Sequence, residues 1–67
     1  MNLKPYEHEI NRTTSMADLR YYKRFWADEA RRVQTPEYRD GCRWLSGLAG
    51  RRLKDLFEKK HGGEGAA

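Results

Sequence analysis

The sequence holds a single cysteine, Cys42, in 67 residues, so no internal disulfide can form. Its two histidines, His8 and His61, sit near opposite ends, and no Cys/His spacing suits zinc. No apolar run approaches the roughly 18–20 residues that a membrane span needs. The opening MNLKPYEHEI has no apolar h-region, so no secretory signal is expected and the cytoplasm is the predicted compartment. Asn11-Arg12-Thr13 matches a glycosylation sequon, which without secretion is a chance match. Strand-like alternation and internal repeats are both missing. Catalytic arrangements are missing too. No Ser/His/Asp or Cys/His set has supporting context, and two helices enclose no pocket that would shift a carboxylate. Neither enzyme activity nor a cofactor is expected.

Bulk is also scarce. A chain this short supports one domain, near the lower limit for folding alone. With 37% hydrophobic and 36% charged residues and a mean hydropathy of −1.10, it must rely on well-packed helices or a self-partner. What it has in quantity is positive charge: 14 Lys plus Arg against 10 Asp plus Glu, a net +4 and a pI near 9.5. Nine of the fourteen cations are Arg, which binds carboxylate or phosphate bidentately and stacks on rings. Such a balance suits nucleic acid, an acidic protein surface or simple solubility, and does not choose among them.

Three pieces read out along the chain. Residues 1–14 form an arm with Pro5, mixed charges and no sustained period. A first helix is predicted from about Ser15 to Val33, with Ser15 as its cap and Asp18 placed to reach back. Met16, Leu19, Tyr22, Trp26, Ala30 and Val33 share one face, while Arg20, Arg24 and Arg31 flank Ala27 on the other. Tyr21 and Phe25 lie beside the core stripe and widen the apolar sector beyond what one partner helix needs. The break QTPEY follows, with Thr35 as cap and Pro36 at the first helical position. So short a link predicts antiparallel neighbours.

The second helix is predicted from about Pro36 to Lys60, with Tyr38, Cys42, Leu45, Ala49, Leu53 and Leu56 on one face. Interior glycines at 47 and 50 leave a bend in SGLAG as the alternative to one straight helix. HGGEGAA, residues 61–67, reads as a disordered tail. The fold expected over 15–60 is therefore an all-α, two-helix antiparallel hairpin that dimerises into a four-helix arrangement.

Each feature also has a plainer explanation. Cys42 on the apolar stripe reads as a small hydrophobe. The Arg face pairs with Asp28 at i+4 from Arg24, as Lys54 does with Glu58 and Arg51 or Lys59 with Asp55. Basic residues interleaved with acids do not make the clean stripe of a DNA-binding helix, though a small basic DNA-binding regulator stays the runner-up. The surplus rings are the better clue. Tyr21, Phe25, Tyr38 and Trp44 exceed what one small hairpin can bury, and with Arg20, Arg24, Arg39 and Arg43 they are the residue types of protein hot spots. The dimer or core set is Leu19, Tyr22, Trp26, Val33, Leu45, Ala49, Leu53 and Leu56. All the rings serving a single dimer core is the competing assignment.

The helix MADLRYYKRFWADEARRV, the corner TPEYRDG and the helix LSGLAGRRLKDLFEKK, together about residues 15–60, resemble small phage-encoded proteins that disable a host regulator. Within that group the chain is similar to the quorum-sensing anti-activators. The resemblance implies a dimeric helical protein in the host cytoplasm that sequesters a LuxR-type transcription activator and can block a pilus-assembly ATPase. It implies inhibition by occlusion, with contacts sought around Tyr38 and its basic neighbours.

Overall fold

The computed structural model describes the backbone of residues 2–66 and the side chains of residues 2–59. The described residues form three helices and no strand: α1 (Lys4–Arg12), α2 (Met16–Arg32) and α3 (Pro36–Ala66). The all-helical class is as expected, but the two-helix hairpin becomes a three-helix bundle because the N-terminal arm is itself a helix. Pro5 does not break it. It lies in the first turn, where the missing N–H costs no bond, and Leu3 C=O accepts from the Tyr6 and Glu7 amides, both at 3.1 Å. Asn2 Oδ1 accepts from the Lys4 amide at 3.0 Å. At the other end Thr13 closes α1, its hydroxyl donating to Glu9 C=O at 2.7 Å.

The second element starts as its sequence predicts, with Ser15 Oγ accepting from the Asp18 amide at 3.3 Å. It ends on extended Val33. Thr35 C=O accepts from the Arg39 amide at 2.9 Å and opens α3 at Pro36. That helix is uninterrupted through Gly47 and Gly50, neither of which has a positive φ, so the second helix forms as one continuous element. The α3 backbone continues to Ala66, beyond the expected end near Lys60. Whether the tail's side chains are ordered falls outside the described residues.

Cross-helix contacts set the directions. Arg39 donates to Val33 C=O, Ser46 Oγ to Lys23 C=O at 2.9 Å, and Arg52 to Thr13 C=O at 3.0 Å. As α3 advances, α2 recedes, so the two are antiparallel. Leu3 abuts Gly41 while Thr13 meets Arg52, which makes α1 parallel to α3. A Cβ built on Gly41 would run into Leu3 Cδ1, so this glycine permits the close approach of the chain entering α1. The molecule extends 47 × 20 × 17 Å, and its long axis matches α3, about 46 Å at 1.5 Å per residue.

The core is Ile10, Leu19, Trp26, Ala30, Cys42, Leu45 and Ala49, with Leu3, Tyr22, Tyr38, Leu48, Leu53 and Leu56 packed around it. Ile10 is the contribution of α1, and the Tyr6 ring meets Trp26 edge-on at 5.0 Å. Small side chains on α3 (Cys42, Ala49) share the core with Leu19 and the Trp26 ring of α2.

Candidate functional site

Two concave surfaces flank α2, one aromatic and one basic. The aromatic surface lies where α2 meets α1. It is a groove of ≈ 200 Å³ lined by Tyr6, Glu9, Ile10, Tyr21, Tyr22, Phe25 and Trp26. Its rings form a connected set: Tyr21 stacks on Phe25 at 5.9 Å, and Phe25 meets Trp26 edge-on at 5.0 Å. Trp26 is buried, whereas Tyr21 is 62% and Phe25 37% exposed. Tyr6, absent from the residues singled out in the sequence, stands in the same row at 43% exposure.

The basic surface lies on the other flank, where α2 meets α3. One recess is lined by Ala27, Ala30, Arg31, Arg39, Arg43 and Ser46, and the next by Arg20, Lys23, Arg24, Ala27, Ser46 and Leu53. They share Ala27 and Ser46 and so form one continuous groove. Six cations line it and no carboxylate does. Arg39 bonds to Val33 C=O at 3.4 Å, and among the described residues none of the six is ion-paired.

Of the surface pairs expected from spacing, Lys54–Glu58 forms at 3.9 Å, while Arg24–Asp28 and the Asp55 pairs do not form among the described residues. Arg32 instead pairs with Glu29 at 3.4 Å. Arg24 is thereby left free for the groove.

The residues marked for partner binding therefore separate. Tyr21 and Phe25 belong to the aromatic groove, and Arg20, Arg24, Arg39 and Arg43 to the basic one. Trp44 belongs to neither; it is exposed on α3. Tyr38 is half-buried and packed against the core at the start of α3, outside both grooves. Arg39 is likewise half-buried. Among the core set, Leu19, Trp26, Leu45 and Ala49 are buried, and Tyr22, Val33, Leu53 and Leu56 are half-buried.

The two groups with shifted protonation, Cys42 and Tyr38, line neither groove. Burial raises the Cys42 thiol above its ordinary 9.0, with Glu29 adding to the effect and the Tyr38 hydroxyl's hydrogen bond opposing it. Burial also raises Tyr38 above 10.0, helped by Cys42 and Glu29. Both shifts belong to the packed interior. No polar or charged residue is buried among the described residues, and no three metal-ligating side chains gather there. No described helix is long and apolar enough to cross a membrane. No known protein family, curated protein or solved structure matches the chain.

Proposed function

We propose that the chain is a non-enzymatic protein-binding module that dimerises and acts by covering the functional surface of another protein. The observation that carries this is the exposed ring row Tyr6–Tyr21–Phe25, continuous with buried Trp26. These rings contact one another and Trp26 yet keep a large exposed area, the kind of apolar surface on which a second protein anchors. A second copy would close this face and extend the core that one short chain makes only thinly. Trp44 and the α2/α3 arginines are then left for a different protein.

The resemblance to phage quorum-sensing anti-activators supplies the proposed partners: a LuxR-type transcription activator and a pilus-assembly ATPase, both met in the host cytoplasm. The test uses a labelled operator duplex carrying a purified LuxR-type activator. Stoichiometric addition of the chain should return the fluorescence anisotropy to that of free duplex. Anisotropy left unchanged would reject the activator as partner.

The basic groove gives the second reading, a small DNA-binding regulator. Labelled random duplex titrated at about 50 and about 200 mM salt separates the two, since each phosphate neutralised adds about 0.9 to the log–log salt slope. Absence of binding at the lower salt supports the protein-binding module. Micromolar binding with a steep slope would replace it with the regulator.

A further inference from the structure

From the α2/α3 groove we infer a specific ligand class: an acidic α-helical segment of a partner protein, seated between Arg20, Arg24 and Arg31 on one wall and Arg39 and Arg43 on the other. This rests on the protein-binding reading and names the chemistry of its partner. Six cations in one groove repel each other, and no carboxylate of the chain neutralises them there among the described residues. The complement therefore comes from outside, and it is negative.

Shape and floor select the source of that charge. The cations line a recess with an apolar floor of Ala27, Ala30 and Leu53. A DNA duplex is read by an element that projects into its groove, the reverse of this concavity. Single-stranded nucleic acid needs rings on which bases stack, and no ring lines this groove. A helix with carboxylates on its flanks and small apolar residues beneath satisfies both walls and floor. Helix-in-groove docking of this kind uses anchors at i, i+4 and i+7. The α2 wall from Arg20 to Arg31 spans about 16 Å, which a partner helix covers in three turns. Carboxylates at i, i+4 and i+11 of the partner helix meet Arg20, Arg24 and Arg31 in turn, and arginine's planar fork suits each of them bidentately.

The probe is a fluorescein-labelled Glu/Ala/Leu helix of about four turns, with Glu on two flanks, compared with its Gln counterpart and a Lys counterpart. Anisotropy is read with the full chain and with a variant carrying Arg24→Glu, Arg31→Glu and Arg43→Glu, all three at exposed positions. The expected result is binding of the Glu peptide at least about tenfold tighter than of the Gln peptide, weakening as salt rises. In the variant the order inverts and the Lys peptide binds instead. Far-UV circular dichroism confirms that the variant is folded, and Arg24→Gln with Arg31→Gln repeats the test should the reversal unfold it.

Equal binding of Glu and Gln peptides, or of neither, overturns the acidic-helix assignment. It leaves the module itself standing if the duplex titration is negative. Random duplex binding more tightly than the Glu peptide, and lost in the same variant, overturns both and makes the groove a phosphate site.

Discussion

Cys42 and Tyr38 show how one turn of helix decides the chemistry of a residue. The thiol lies fully buried at i+4 from a phenol, and burial favours the protonated form of each. Cys42 should therefore resist alkylation in the native protein at pH 8 and react once urea unfolds it, read by mass spectrometry. Rapid labelling without denaturant would place the thiol at the surface. The pH sign follows from the same shifts. Both groups hold their protons more tightly folded than unfolded, so their contribution is intact below pH 9.0 and is lost as pH climbs through the raised values. The urea midpoint should fall between pH 8 and pH 10.5, and Cys42→Ala with Tyr38→Phe should flatten that fall. Trp26 belongs to this scale as well. At 4% exposure, with Tyr6 and Phe25 edge-on to it, its truncation to Ala should cost about 3–5 kcal/mol. A domain of this length holds only roughly 3–10 kcal/mol. Loss of cooperative thermal unfolding is the expected result, and an unchanged transition would contradict the packing.

At the scale of the element, α2 and the start of α3 were legible because their signals are local. Ser15 before Met16, Thr35 before Pro36 and the ring stripe between them state the boundaries outright. α1 was not legible, for two physical reasons. Its stripe is only Leu3, Tyr6 and Ile10, two turns that show no sustained period. Its proline reads as a breaker unless the helix is known to start at Lys4. The glycines of SGLAG lie inside a continuous helix, which tolerates them at a cost in chain entropy. That cost is recoverable. A Cβ at Gly47 would meet nothing within 4 Å, so Gly47→Ala should stabilise the chain by about 1 kcal/mol. In a domain of this size that raises Tm by about 4–8 °C in a calorimeter. A Tm that stays or drops would mean that the glycine answers a demand outside this fold.

For the whole molecule, what the sequence could not disclose was how its surplus side chains would be sorted. Tyr21, Phe25 and the arginines were recognisable as excess, but their division into an aromatic groove against α1 and a basic groove against α3 needs the third helix. Tyr38 combines the two positions that its spacing gives it, the core-facing stripe of α3 and the corner before it, and is half-buried against the core. The aromatic groove is proposed as the surface that meets a second copy. Light scattering coupled to size exclusion tests it most directly. The wild-type chain should elute at twice its 7.9 kDa mass, and Tyr21→Glu with Phe25→Glu should give a folded monomer with the same helical spectrum. A wild-type monomer at high concentration, or a dimer that survives both substitutions, would contradict it.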